Sequence, residues 1–207
     1  MKDRSPPVVL EPYAFSSLLM AAVEVHSRES LGFLVGHQDR QFIDGRMTDC
    51  VSVNACYPVQ TAVRGRTGVG FDNLAARKRA EDTVRAVGFD IIGGFHSHPN
   101  GSPKVSREDV DVILDELESV YSKTGLSSWV EIVVGVKRIK HPRRAGHLKK
   151  LFAKGRIPAT GFYPHNVTPT ISGDLLTGPD QAFRVESACY RFGDGKVDQG
   201  LLVYSRY

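Results

Sequence analysis

Residues 93–99, which read Gly-Gly-Phe-His-Ser-His-Pro, constrain the fold of this chain more than any other stretch. They follow the short run Asp-Ile-Ile at residues 90–92, which is typical of a buried strand. Residues two apart in a strand project from the same face, about 6–7 Å apart, so His96 and His98 are expected to point the same way. Because Pro99 cannot continue a central strand, the chain is expected to turn there.

A helix is predicted to begin near Ser106 and to carry Asp109 in its first turn. The Asp109 carboxylate and the two imidazoles would supply three protein ligands to one metal ion. Zinc with three such ligands and a water in the fourth position is typical of catalysis, whereas structural zinc is usually closed by four protein ligands. The residues also allow a plainer interpretation, in which Ser106 and Asp109 only cap the helix and the histidines lie on an exposed face.

The spacing of these residues resembles that of the JAMM/MPN zinc metalloproteases, whose signature is a glutamate far upstream, then His-x-His, ten residues and an aspartate. Ten residues separate His98 from Asp109, and Ser106 falls at the serine of the family's Ser-x-x-Asp. The family's glutamate lies just before a Gly-x-Leu-x-Gly strand, which matches Glu29 before residues 32–36. The resemblance spans most of the chain and implies an active, stand-alone member of prokaryotic type.

This resemblance implies an α/β fold, with a single MPN-type domain over residues 1–207, a mixed curved β-sheet, flanking helices and a cytidine-deaminase-like core. A length of 207 residues is sufficient for one domain with a sizeable core. Two insertions are expected, a Gly-rich loop at about 57–70 and a basic segment at about 137–179. Family members carry insertions near these places that help to hold the substrate. The substrate-binding residues themselves are not identified, and the candidate loops are those around Arg64, Arg66, Arg143 and Arg144. A plain connection at residues 57–70 and a solvated loop in the basic segment are the alternatives.

Hydrophobic periodicity and turn residues predict the other elements. The predicted helices cover residues 12–27, 71–87 and 106–125. The predicted strands cover residues 8–10 (an edge), 31–35, 47–57, 90–98 and 129–136 (central). A turn is expected at residues 37–40, hairpins are expected around residues 44–45 and 193–195, and residues 161–179 are expected to be irregular.

The resemblance also implies roles for the site residues. One zinc ion per chain, held by His96, His98 and Asp109, would polarise the scissile carbonyl and activate a water towards a pKa of ~7. Glu29 would take the proton of that water as general base and pass it to the leaving nitrogen. Ser106 would hydrogen-bond the developing oxyanion. The choice of Glu29 rests on the resemblance, since the local sequence does not distinguish it from other acids nearby.

The expected function is that of a zinc-dependent isopeptidase or peptidase, similar to a deubiquitinase. It would remove or process a ubiquitin-like modifier after its C-terminal glycines, and the substrate would be a ubiquitin-like or sulfur-carrier protein. The modifier, the target protein, the linkage preference and the oligomeric state cannot be read from the sequence.

Two alternatives remain open. RadC-like proteins, which are associated with nucleic acid, share a similar His-x-His-Pro-x-Gly run. Residues 137–156 contain nine Lys and Arg residues and no acid. The formal positive charge of this segment therefore exceeds the net charge of +4 of the whole chain. Such a segment is suited to contact with phosphates. The second alternative is an MPN scaffold without catalysis.

The composition favours a protein of the cytoplasm. Three cysteines without a CxxC pair are typical of a reducing compartment, and no apolar run approaches the ~20 residues of a membrane span. The first residues are not followed by the apolar region of a secretory signal. No membrane partner is therefore expected.

Overall fold

The computed structural model describes residues 6–59, 62–64, 69–71, 73–99, 101–124, 128–139, 161–166, 170–178, 181–193 and 196–204. The elements are, in chain order, β1 (Val8–Leu10), α1 (Pro12–Glu24), β2 (Leu31–Ile43), β3 (Arg46–Pro58), β4 (Ala62–Arg64), β5 (Val69–Phe71), α2 (Leu74–Ala86), β6 (Asp90–His98), α3 (Arg107–Thr124), β7 (Trp129–Ile139), β8 (Gly161–Asn166), β9 (Ile171–Gly178), β10 (Gln181–Gly193), β11 (Lys196–Gly200) and β12 (Leu202–Tyr204).

One mixed sheet contains ten of these strands. Its order is β12-β1-β3-β2-β6-β7-β10-β9-β8, and β11 pairs with β10. The pairs β1–β12, β1–β3 and β6–β7 are parallel, whereas the other pairs are antiparallel. Strand β12, at one end of the path, contacts β9 near the other end, so the sheet is curved and nearly closed. The predicted α/β fold with a mixed, curved sheet is therefore confirmed.

The two faces of the sheet are covered by different helices. On one face, α1 buries Phe15 and Leu18 against a cluster that includes Phe95 of β6 and Ile132 of β7. On the other face, α3 packs Ile113 and neighbouring apolar residues against Trp129 and Phe192. Because side chains alternate along a strand, Phe95 faces α1 while His96 faces the side of α3. The apolar run of β7 is explained by burial on both faces, as predicted for a central strand.

Strand β2 differs from the prediction. Residues 37–40 were expected to turn, but they continue the strand to Ile43, with an irregular register between Val35 and Gly36. Beyond Gly36, which pairs with Asp90 of β6, the strand pairs only with β3. The polar residues that indicated a turn instead belong to this hairpin arm, where both faces are largely exposed. The predicted hairpin turn at residues 44–45 is present, with φ of 49° and 83°.

The position of β1 in the sheet and the start of α2 also differ from the prediction. β1 is not an edge strand, since it lies between β3 and β12. Helix α2 begins only at Leu74, because the side chain of Asn73 accepts a hydrogen bond from the amide of Ala76 (2.9 Å) and so caps it.

Both predicted insertions contain strands. Residues 57–70 include the end of β3, β4 and the start of β5, and residues 137–139 extend β7. Residues 161–166 and 171–178, predicted to be irregular, form the antiparallel pair β8–β9. The predicted closing hairpin is β10–β11, but the chain then leaves it, and β12 pairs with β1. The central part of the basic segment, residues 140–160, lies outside the described residues.

None of the helices within the described ranges is both long and apolar enough to cross a membrane.

Candidate metal centre

Strand β6 and helix α3 bring three potential metal ligands together. The rings of His96 and His98 lie with their centroids 4.9 Å apart. The Asp109 Oδ2 atom lies 3.6 Å from His96 Nε2 and 3.8 Å from His98 Nε2. One ligand atom from each of the three residues lies within 4.8 Å of the others. These are the residues predicted from the His-x-His spacing.

The start of α3 holds the Asp109 side chain in position. The Ser106 amide donates to Asp109 Oδ2 (2.7 Å), and the Asp109 amide donates to Ser106 Oγ (3.1 Å). This reciprocal arrangement satisfies two amides at the helix N-terminus. Ser106 and Asp109 therefore do cap the helix, but His96 is buried and does not lie on an exposed face. The cap is compatible with metal ligation because it fixes the carboxylate beside the histidines.

Each histidine uses its Nδ1 atom for a hydrogen bond away from Asp109. His96 Nδ1 lies 2.8 Å from Glu131 Oε1, and Trp129 Nε1 donates to Glu131 Oε2 (2.9 Å). His98 Nδ1 donates to the carbonyl oxygen of Ser102 (2.9 Å). Both Nε2 atoms are thereby left to face the Asp109 carboxylate.

The sequence reasoning missed Glu131, although a signal was present. It is the single charged residue in the run Trp-Val-Glu-Ile-Val-Val at residues 129–134, in a strand predicted to be central. A carboxylate buried in such a strand requires a polar partner, because an unpaired buried charge is very costly. The pattern therefore indicated a buried partner for Glu131, but not which residue it would be.

The donor set fits a divalent metal ion such as zinc. His96 Nε2 is buried and has no hydrogen-bond partner among the described residues. Buried polar atoms are nearly always satisfied, and this open nitrogen lies beside two other potential ligand atoms, so the group as a whole is suited to hold an ion. Two ligands of a tetrahedral zinc ion at ~2.0–2.1 Å are about 3.3 Å apart, close to the separations of Asp109 Oδ2 from the two Nε2 atoms.

In the metal-free site, the close approach of these ionisable groups shifts the pKa of all three candidate ligands. Burial by itself lowers the pKa of His96, but the neighbouring carboxylates of Asp109 and Glu131 outweigh it and raise the pKa to about 10. Burial and the neighbouring His96 lower the pKa of His98. Burial would raise the pKa of Asp109, but the nearby His96 and the hydrogen bonds of Ser106 hold it well below its usual range. Asp109 is therefore ionised, as a ligand must be.

Glu29 lies next to a buried clasp formed by Ser30 of the segment before β2 and Ser97 of β6. The Ser97 amide donates to the Ser30 carbonyl (2.8 Å), the Ser30 amide donates to Ser97 Oγ (3.0 Å), and the two hydroxyl oxygens are 2.8 Å apart. Leu31 pairs with His96 in the β2–β6 register. Glu29 lies two residues before Leu31 in the chain and directly before Ser30, which is bonded to Ser97.

The surroundings of Glu29 change its acidity. Partial burial raises the pKa of Glu29, the neighbouring His96 lowers it, and the acidic groups of Asp109 and Glu108 raise it, with a net increase. The structure thus places Glu29 within electrostatic reach of the candidate ligands. A carboxyl group with a raised pKa in such a site is a candidate for proton transfer.

Of the four arginines in the predicted substrate-binding loops, only the backbone of Arg64 falls within the described residues. Arg64 lies in β4, which pairs with β5 in a separate two-stranded sheet. Arg66, Arg143 and Arg144 lie outside the described residues, as does most of the basic segment on which the nucleic-acid alternative rests.

Comparison with known proteins identifies related sequences and folds. The family described as prokaryotic homologs of the JAB domain matches residues 12–144. The histone deubiquitinase MYSM1 of Xenopus laevis is 21% identical over 145 residues, which cover 70% of this chain but 17% of that protein. This chain therefore spans only a small part of the length of that relative.

The fold also has a counterpart among solved structures. The solution structure of protein DSY2949 from Desulfitobacterium hafniense has a TM-score of 0.54 and 15% identity, covering 97% of this chain and 94% of that chain. At this level of identity the likeness supports the fold alone.

Proposed function

This chain belongs to the family of prokaryotic homologs of the JAB domain, and from that premise we propose that it is a zinc-dependent isopeptidase or peptidase. Its substrate would be a ubiquitin-like or sulfur-carrier protein, cleaved after the C-terminal glycines. The observation that carries the proposal is the convergence of His96, His98 and Asp109 near Glu29. The Nε2 atom of His96 is buried there and has no hydrogen-bond partner within the part of the chain that the structure describes. The similarity to a histone deubiquitinase supports the same class of reaction.

The chemistry is divided between the metal and the residues of this chain. When bound, zinc supplies a Lewis acid that polarises the scissile carbonyl and lowers the pKa of a water. His96, His98 and Asp109 would hold the ion with one neutral imidazole nitrogen each from the histidines and one carboxylate oxygen, leaving a position open.

Glu29 is proposed to transfer the proton. It would take a proton from the attacking water and give it to the leaving nitrogen, which otherwise departs poorly as an amide anion. An ordinary glutamate is a weak base near neutral pH, and the raised pKa of Glu29 brings it closer to the range where both steps are efficient.

Ser106 is proposed to stabilise the oxyanion. Its Oγ atom accepts the hydrogen bond of the Asp109 amide, and its hydroxyl proton would turn from the Asp109 carboxylate to the oxyanion during the reaction. Removing one such donor costs about 3–4 kcal/mol of transition-state stabilisation in other hydrolases.

The test is metal analysis combined with cleavage of a panel of ubiquitin-like fusions. We expect about one zinc ion per chain and cleavage after the terminal glycines in the wild type. His98→Ala should lose both the metal and the activity, whereas Glu29→Gln should keep the metal and lose the activity. Full activity of Glu29→Gln would reject the proposed base, and stoichiometric zinc without cleavage of any fusion would reject the peptidase function while leaving the metal site.

A further inference from the structure

Glu131 is a buried acid for which the proposed reaction provides no role. Glu131 is only 5% exposed, and it lies on β7 beside β6, the strand that carries both histidines. A carboxylate is rarely found at such a position without polar partners, because removing it from water is costly. Its two oxygen atoms have separate partners, His96 and Trp129.

These two contacts determine which His96 nitrogen carries a proton. An indole N–H can only donate, so Trp129 occupies Oε2 of the carboxylate as a donor. The other oxygen, Oε1, accepts from His96 Nδ1, which must then be protonated. In the neutral ring, the lone pair is therefore on Nε2, the atom that faces Asp109 and has no partner among the described residues.

The neighbouring strand leaves space for this arrangement. Gly94 pairs with Glu131 in the parallel register of β6 and β7. A Cβ atom at Gly94 would lie 2.7 Å from Glu131 Oε2 and 3.2 Å from the Trp129 ring. Glycine weakens a strand interior, so its presence here is explained by the close approach of the carboxylate and the indole.

We propose that Glu131 is a positioning residue that fixes the tautomer and the orientation of His96, and that Trp129 holds the Glu131 carboxylate in place for this purpose. The inference rests on the metal site of the proposed function, but not on the identity of the substrate or on peptidase activity. Carboxylate partners of this kind increase the basicity of a metal-bound histidine and reduce its rotational freedom.

Glu131→Gln is the most informative variant, because it keeps the shape of the side chain. An amide accepts at its oxygen but donates at its nitrogen, so it cannot accept from both His96 and Trp129. If the amide nitrogen faces His96, the ring proton moves to Nε2 and the lone pair needed for the metal is lost. We expect zinc affinity to fall by about 10–100-fold, measured by competition with a chromophoric chelator.

Trp129→Phe should give a smaller loss of zinc affinity, since it leaves the bond between His96 and Glu131 but releases the other oxygen. Asp174→Asn is the matched control for removing a buried charge. Asp174 is fully buried, pairs with Arg184 and lies on β9, three strands from β6. Its substitution should destabilise the protein while leaving zinc affinity unchanged.

Two measurements keep the inference falsifiable if Glu131→Gln folds poorly. Long-range ¹H–¹⁵N NMR of the zinc-loaded wild type should show a proton on His96 Nδ1, and the visible spectrum of the cobalt-substituted protein should change in Trp129→Phe. Wild-type affinity in folded Glu131→Gln, or metal ligation through His96 Nδ1, would overturn the inference. Loss of affinity in Glu131→Gln, in a protein that cleaves no fusion, would support the inference and reject only the peptidase function.

Discussion

At the scale of single residues, Ser97 connects the segment that carries Glu29 to the strand that carries both histidines. Ser97 lies between the two histidines and is only 1% exposed, and its hydroxyl group faces Ser30. This contact ties the residue next to Glu29 to the strand of the candidate ligands. Glu29 itself lies where burial and nearby acids disfavour its charged form.

The first prediction concerns the pH dependence of stability of the metal-free protein. Because the folded-state pKa of Glu29 is raised above the unfolded value, the group favours folding below about pH 4.5, and this contribution is lost as the pH rises through the folded pKa. Glu29→Gln does not titrate, so its stability relative to the wild type should increase over that range. Denaturant unfolding of both proteins after removal of metal measures this; a difference that stays constant with pH would contradict it.

The second prediction concerns the clasp between Ser30 and Ser97. Ser97→Ala removes the acceptor of the Ser30 amide, which remains buried, and should cost about 1–3 kcal/mol of unfolding free energy. Zinc affinity should stay near that of the wild type, while kcat falls because Glu29 is held less firmly. Ser16→Ala, which removes an exposed hydroxyl, is the control and should change neither the unfolding free energy nor kcat. An unchanged kcat in Ser97→Ala would limit the clasp to a structural role.

At the scale of elements, strand β7 supports both histidines of β6. Glu131 contacts His96, and four residues further along, Gly135 pairs with His98. A Cβ atom at Gly135 would lie 2.4 Å from the carbonyl atoms of Gly101. The turn after β6 therefore packs directly on the β7 backbone, and the same turn presents the Ser102 carbonyl to His98.

The third prediction follows from this packing. Gly135→Ala should displace the turn at residues 101–102, cost about 1–3 kcal/mol of stability and weaken zinc binding, because the Ser102 carbonyl moves away from His98. Gly200→Ala is a matched strand control, since its Cβ atom would come no closer than 3.4 Å to Cys189 Sγ. Chemical unfolding and chelator competition measure both effects; equal results for the two variants would contradict the assigned role of Gly135.

At the scale of the whole molecule, the candidate site links α3 to the sheet. Helix α3 is held by an apolar cluster that includes Ile113, Leu117, Trp129 and Phe192. Asp109 at its start and the two histidines of β6 would share one ion. A bound metal therefore adds a second attachment between the helix and the sheet, which exists only in the folded state.

The fourth prediction is that zinc stabilises the whole chain. Ligand that binds only the folded state increases the unfolding free energy by about 2.7 kcal/mol at 100 times its dissociation constant. Thermal unfolding should therefore shift to higher temperature on adding zinc and return to its original value with a chelator. The shift should be absent in His98→Ala, and an equal shift in that variant would indicate that zinc binds elsewhere.

Much of the local structure could be predicted because its causes lie close together in the chain. Strand β6 has the predicted limits, Asp90–His98, and α3 begins one residue after the predicted Ser106. Ligand candidates separated by ten residues across a strand, a turn and a helix can be recognised from periodicity and spacing. Residues 37–43 of β2 could not be predicted in this way, since pairing with β3 outweighs the local turn signals.

The amino-acid sequence by itself determined the β6–α3 unit and the three residues that offer ligands to a metal, because strand periodicity and a helix cap act over a few positions. Only the tertiary structure decided what surrounds them. Glu131 is 35 residues from His96 in the chain, and Ser30 is 67 residues from Ser97. Those partners are brought together by the register between strands, which depends on the burial of the whole sheet and leaves no local signal of the pairing.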